Sequence, residues 1–357
     1  MSLPSTMKAW LYTSTIPSVL SNLHLSKSAR APPPPSHPGQ FLIKIYSTSL
    51  NPADCKVPEQ STILGRTLIC TLPASPGLDF SGEVVAVHEN YSKDEFKPGQ
   101  LVFGCLARPR EFGTTGEYVI VDENDLAPLP QGVSLDDAAC VGVAMRTAYQ
   151  SLKNYIKPST NTNPNADEPA KRVFINGGSG GCGVFAIQFA KMLGFHVTTT
   201  CSTRNISLVQ SLGADEVLDY TNTDVTATLK EKGQIFDHVI DHIGLPSNLY
   251  AECHNFLKPS CTWVQVGSGS ILTAFWRLIT PRWLGGGRRW FSALMLENSK
   301  GDLLDVGEFL REGKVRVVVD SVHEFEGVRE AYAVLGSGRA RGKIIVRVAE
   351  REEEGRS

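Results

Sequence analysis

Arg172-Val-Phe-Ile-Asn-Gly-Gly-Ser-Gly-Gly-Cys-Gly183 is the stretch whose reading decides the fold. Arg172–Asn176 reads as a strand that runs into a glycine-rich turn, and Gly183–Leu193, closed by Gly194, has the texture of a helix. Gly178, Gly180 and Gly183 satisfy G-x-G-x-x-G between a strand and a helix, the context that gives the motif meaning. One glycine permits the tight turn, another lets backbone approach a pyrophosphate, and the third lets helix pack on strand. The helix start then offers free N–H groups and a positive dipole end to phosphate. The spacing predicts a dinucleotide-binding turn made by Gly178, Ser179, Gly180, Gly181, Cys182 and Gly183.

Outward from that turn, strand and helix alternate. His196–Thr200, Glu216–Tyr220, Phe236–Ile243 and Thr262–Val266 read as strands. Asn205–Leu212 reads as a helix ended by Gly213, and Ser247–Leu257 as another. Such repetition predicts a parallel sheet covered by helices, a Rossmann-type domain. Gly244 and Gly267 end later strands at the sheet's carboxyl edge, where a dinucleotide lies. An NAD site places an Asp or Glu about 20 residues beyond the glycines to hold the ribose 2′-hydroxyl. Here that stretch is Thr200-Cys-Ser-Thr-Arg-Asn205, without an acid. Hydroxyls and a guanidinium suit a 2′-phosphate, so Ser202, Thr203, Arg204 and Asn205 point to NADPH.

Up to about residue 140 the pattern is strand and turn: Met7–Tyr12, Phe41–Tyr46, Gly82–Val87, Leu101–Phe103 and Gly116–Val121. Ser134 reads as a helix cap. Ser159–Pro169 is polar and reads as a loop. In the tail, strands at Val315–Val319 and Lys343–Val348 flank a helix around Phe325–Leu335, and return to the first domain. The expected organisation is a β-rich domain over 1–140 joined by 292–357, with the cofactor domain over 141–291. Ile271–Met295 interleaves Trp276, Trp283, Trp290 and Phe291 with Arg277, Arg282, Arg288 and Arg289. It reads as a substrate lid or homodimer contact, with a membrane-surface contact as the lesser alternative.

The 357 residues allow two domains, and a net charge of -2 gives no reason to expect nucleic-acid binding. The eight cysteines lack the C-x2-4-C spacing of structural zinc, and a chain of this size has no need of a disulfide framework. They read as reduced thiols, with a cytoplasmic location. No secretory signal and no membrane-spanning run is visible.

Asn51-Pro-Ala-Asp54, Pro76-Gly-Leu-Asp-Phe-Ser-Gly-Glu83, Phe96–Phe103, the glycine turn, Leu212–Val217, Asp219-Tyr220 and Gly338–Lys343 together carry a resemblance. With them the chain resembles the quinone oxidoreductase and enoyl reductase branch of the medium-chain dehydrogenase/reductase superfamily, over nearly all its length. The resemblance implies a GroES-like β-rich catalytic domain beside the Rossmann cofactor domain. Zinc alcohol dehydrogenases of the same fold hold their metal partly through Gly-His-Glu. The matching Gly77-Leu78-Asp79 has no imidazole, and Asn51 stands at the cysteine ligand position, so no metal is expected. Without a metal to stabilise an alkoxide, hydride transfer to the β-carbon of an unsaturated carbonyl, or to a quinone, is the chemistry implied.

By the same resemblance Lys56 matches a lysine that contacts cofactor or substrate, and Thr147 a position beside the nicotinamide. Tyr220 matches a tyrosine against the adenosine ribose, and Lys343 a residue reaching back to the cofactor. Asn51 is a candidate for holding a substrate carbonyl or the nicotinamide ribose. No tyrosine lies between Asn51 and Leu68, so the proton donor is unassigned. A trans-acting enoyl reductase of a polyketide pathway and a non-catalytic NADPH-binding or membrane-associated interaction protein stand as alternatives. His238 and His242 read as structural.

Overall fold

The computed structural model describes residues 4–61, 71–93, 95–156, 170–266, 277, 280 and 288–351. The chain divides into two compact units, Met1–Arg146 with Glu297–Ser357, and Thr147–Leu296. In chain order the first unit contains β1 (Thr6–Tyr12), β2 (Leu23–Arg30), β3 (Gln40–Ser49), α1 (Pro52–Ser61) and β4 (Asp79–Val87). β5 (Leu101–Cys105), β6 (Tyr118–Asp122), β7 (Leu126–Pro128), α2 (Leu135–Ala139) and a π-helical turn at Val141–Met145 follow. α3 (Arg146–Lys153) leads into the second unit. There come β8 (Arg172–Asn176), α4 (Gly183–Met192), β9 (His196–Cys201), α5 (Ile206–Ser211), β10 (Glu216–Asp219) and α6 (Val225–Lys232). β11 (His238–Asp241), β12 (Thr262–Gln265) and β13 (Trp290–Ala293) complete it. The first unit resumes with α7 (Lys300–Arg311), β14 (Val319–Glu324), α8 (Val328–Gly336) and β15 (Lys343–Arg347).

The second unit holds a six-stranded sheet in the order β10-β9-β8-β11-β12-β13, every pairing parallel. α4 packs on β8 and β9, and α5 on β9 and β10. Phe174, Phe236, Phe256 and Trp263 fill part of its core at ring separations of 5.8–6.5 Å. The first unit holds a seven-strand sheet, β14-β15-β3-β4-β5-β7 with β6 on β3, and β1 and β2 form a separate pair. Ser134 caps α2 by accepting from Asp137 N–H. Trp10 Nε1 donates to Phe325 O at 2.7 Å, tying the start of the chain to its last quarter.

The strands and the glycine-closed helices stand close to the sequence expectation, with two corrections. Ser247–Leu257 is a series of turns ending in a 3-10 turn at Cys253–Asn255, not an α-helix. Its apolar spacing is helical, but the segment ends extended, with Leu257 bridging to Phe236 and the Arg289 guanidinium donating to His254 O and Leu257 O. The strand expected at Val315–Val319 lies instead at Val319–Glu324, where it pairs in parallel with β15. Val315 is buried and its N–H donates to Phe309 O. Asn51-Pro52 opens α1, because proline suits a first helical position, where its missing N–H costs nothing. The loop read at Ser159–Pro169 lies outside the described residues. So does most of 271–295; within its described part, Phe291 meets Tyr250 at 4.9 Å and Arg277 donates to Gln265 Oε1 at 3.0 Å.

Candidate active site

β8 delivers the chain to the turn and α4 carries it away, and the glycines have separate jobs. Gly177 has φ +89°, a region L side chains rarely adopt. A Cβ on Gly178 would sit 2.2 Å from Thr199 Oγ1, and one on Gly183 would sit 2.1 Å from Gly177 O. A Cβ on Gly180 would find no atom nearer than 3.8 Å, so the turn is closed to the protein on two sides and open at Gly180. Thr200 pins the turn: Gly177 N–H donates to its Oγ1 and Gly178 N–H to its carbonyl, at 2.8 and 2.9 Å. Asn205 Nδ2 donates to Ser179 Oγ at 3.0 Å, while Asn205 Oδ1 is buried with no partner among the described residues. A rigid cradle with an unpaired buried acceptor beside it is what a dinucleotide would complete.

The later strand ends join the same edge. Asn176 Nδ2 donates to Asp241 Oδ1 at 2.8 Å, and that oxygen also accepts the N–H groups of Ile243 and Gly244. Gly244 takes φ +78° and is thereby roped to the glycine turn. Gly267 lies outside the described residues. His238 is buried with Nε2 2.9 Å from Ser151 O, and burial pulls its pKa down to about 4. Burial does the same to His242, so both rings are neutral near pH 7.

At the end of β9, Ser202 leads into a 3-10 turn at Thr203–Asn205, with Thr203 and Arg204 exposed. Tyr220 is exposed beside it, its N–H donating to Cys201 O at 3.2 Å. The structure brings an acid here that the linear stretch lacks. Asp219 pairs with Cys201 in the parallel register, and its Oδ2 accepts from Thr203 Oγ1 at 2.5 Å. Hydrogen bonds from Thr203 and Thr221 hold the Asp219 carboxyl well below the usual carboxylate range. The expectation that Thr203 donates to a phosphate is therefore corrected: its one proton is already committed.

In the first unit a buried polar cluster replaces two expected ligand contacts. Lys343 Nζ donates to Asn51 Oδ1 at 2.6 Å, Leu50 O at 3.2 Å and Asp79 Oδ2 at 3.4 Å, using all three ammonium protons. Asn51 Nδ2 donates to Asp79 Oδ2 at 2.8 Å and Ser49 O at 3.3 Å. With both amide protons used, Asn51 has none for a substrate carbonyl, and Lys343, 2% exposed, does not reach out to a cofactor. Asp79 Oδ1 accepts Val143 N–H at 2.6 Å from the π-turn, and a Cβ on Gly142 would lie 2.2 Å from that oxygen. Asp79 is the hub that sequence reasoning missed. These residues do not fit zinc either: Leu78 offers no lone pair, and a lysine ammonium occupies the remaining donors.

Beside the hub, Asp54 Oδ2 accepts from Asn51 N–H at 2.8 Å and Tyr332 OH at 3.2 Å, and Oδ1 has no partner among the described residues. Burial pushes the Asp54 carboxyl up to about 7. Cys55 is partly buried, and desolvation pushes its thiol up, which removes it as a nucleophile at neutral pH. Lys56 is exposed on α1, while Thr147, on α3, is buried in the second unit.

Comparison with known proteins places this geometry. Residues 37–131 match the alcohol dehydrogenase GroES-like domain family, and residues 212–346 the zinc-binding dehydrogenase family. A trans-enoyl reductase, pgmF of Aspergillus terreus, is 44% identical across 98% of this chain and 99% of its own. A chloroplastic quinone-oxidoreductase homologue of Spinacia oleracea is 30% identical across 86% of this chain and 89% of its own. Among solved structures, the quinone oxidoreductase of Coxiella burnetii superposes with a TM-score of 0.79 at 27% identity, covering 96% of this chain and 99% of that one.

Proposed function

Because this chain belongs to the medium-chain dehydrogenase/reductase superfamily, in its quinone oxidoreductase and enoyl reductase branch, and is an oxidoreductase working with a nicotinamide cofactor, we propose that it is an NADPH-dependent reductase of carbon–carbon double bonds conjugated to a carbonyl. Enoyl thioesters are the favoured substrates, enones and quinones the next class. We assign cofactor binding to the unit 147–296 and substrate binding to the unit built from both chain ends. The observation that carries the reading is the cradle at 177–183, closed by packing and open at Gly180. The full-length similarity to a trans-enoyl reductase supports the substrate class.

The bound cofactor supplies a hydride. The chain's own residues bind, orient and stabilise. Backbone N–H groups at the start of α4 would hold the pyrophosphate, Ser202, Arg204 and Tyr220 would take the adenosine ribose, and Gly244 would close the edge beside them. Thr147 is assigned to the nicotinamide side. Hydride arrival at a β-carbon leaves a delocalised enolate, which one well-placed cation can stabilise. Lys56 is assigned that task, since its ammonium is exposed and has no ion pair among the described residues. Water is assigned as the proton source, since no tyrosine lies between Asn51 and Leu68 and the Tyr332 hydroxyl is buried on Asp54. The reaction proceeds without zinc, since Asn51 and Asp79 already bind the Lys343 ammonium. The described cysteines are free thiols, in keeping with a cytoplasmic setting, and no helix among the described residues is long and apolar enough to cross a membrane.

The test is loss of reduced-cofactor absorbance with a panel of enoyl thioesters, enones and quinones, with elemental analysis of the purified protein. Turnover of enoyl thioesters without metal is the expected result. Tight NADPH binding with no turnover across the panel, or stoichiometric zinc, would overturn the assignment.

A further inference from the structure

The edge that meets the adenosine ribose carries more than a phosphate site. Thr221 Oγ1 donates to Asp219 Oδ1 at 2.6 Å, so its proton is unavailable to Thr203. Asn222 Nδ2 donates to Asp219 Oδ2 at 2.8 Å and to Thr203 Oγ1 at 3.2 Å. Thr203 in turn gives its proton to Asp219 Oδ2. Counting donors, the exposed Thr203 hydroxyl has no proton left for a ligand and presents lone-pair density, backed by a carboxylate. A phosphate is all acceptor and is opposed by that arrangement. A ribose 2′-hydroxyl is a donor and suits it.

We propose, building on the NADPH assignment, that the Thr203–Asp219 pair is a selectivity element that accepts the 2′-hydroxyl of an unphosphorylated dinucleotide while Ser202 and Arg204 favour the 2′-phosphate. The site therefore takes both NADPH and NADH, and Asp219 sets how far it leans. The acid that a conventional NAD site carries at the end of its second strand is supplied here from the neighbouring strand, relayed through a threonine hydroxyl.

The experiment is direct titration of wild type, Asp219→Asn and Thr203→Val with NADPH and NADH, followed by ligand fluorescence at low and high salt. Wild type should separate the two by less than about tenfold in Kd. Asp219→Asn keeps the side chain's shape but removes an exposed charge. It should raise the preference for NADPH by about three- to tenfold, an effect that shrinks with salt because it is Coulombic at an exposed site. Thr203→Val should weaken NADH and leave NADPH within about twofold. Equal shifts for both cofactors in Asp219→Asn, as for a residue that only holds its turn, would sink the inference. Selective loss of NADPH in Thr203→Val would also sink it. Wild type that binds neither dinucleotide would bring down the cofactor assignment itself, an outcome distinct from binding with an unaltered ratio.

Discussion

Asp54 is a buried carboxylic acid with two donors on one oxygen and, among the described residues, none on the other. Its folded value near 7 lies well above the roughly 4 of an exposed aspartate. The unfolded chain therefore loses this proton first as pH rises, so the contribution to stability falls between about pH 4 and 7, by up to about 4 kcal/mol. His238 and His242 act in the opposite sense. Held neutral to about pH 4, they contribute stability above about pH 6.5 that is lost as pH falls. Melting curves of wild type and Asp54→Asn from pH 5 to 8 check this: the variant should gain relative stability as pH rises. Lys56 makes a separate prediction. Lys56→Met should lower kcat by about 10²-fold, the usual loss for one donor at a developing oxyanion, and leave the Kd for NADPH unchanged. The glycine motif was legible at this scale because its residues are contiguous. The Lys343–Asn51 bond was not, because 292 positions separate its partners and neither residue type announces the other.

Among elements, the β8–turn–α4 unit makes the sharpest contrast. Gly183→Ala drives a methyl to 2.1 Å from Gly177 O, a backbone atom that cannot step aside, so both melting temperature and cofactor affinity should drop. Gly180→Ala places its methyl in open space and should leave the melting temperature within a few degrees. It should still weaken NADPH by about tenfold or more, since that open space is the one assigned above to the pyrophosphate. Thermal shift with and without NADPH separates the two. Strands and glycine-terminated helices could be read from pattern because local chemistry and tertiary packing agree there. They disagree at 247–257, where the apolar spacing is helical but the backbone runs in turns, with Arg289 donating to His254 O and Leu257 O. No periodicity can report a guanidinium that arrives from 32 and 35 residues downstream.

For the whole molecule, the first unit is assembled from residues on both sides of the second. β15 lies inside its sheet, between β14 and β3. Deleting residues 340–357 removes that interior strand together with Lys343, and leaves Asp79 as a buried charge without its cation, a class of change that costs about 3–5 kcal/mol. Limited proteolysis with mass mapping should show 1–146 cleaved readily while fragments spanning 170–266 persist. The two-part organisation was legible from the switch between strand-and-turn and alternating texture. The closing of the first unit on a lysine was not. That closure orders events during synthesis. When Asp79 leaves the ribosome its counter-ion has yet to be translated, so the early segment must wait, partly formed, through the whole of the intervening unit. The cofactor unit has all its strands in hand sooner, and so gains its native shape ahead of the part of the protein that was made first.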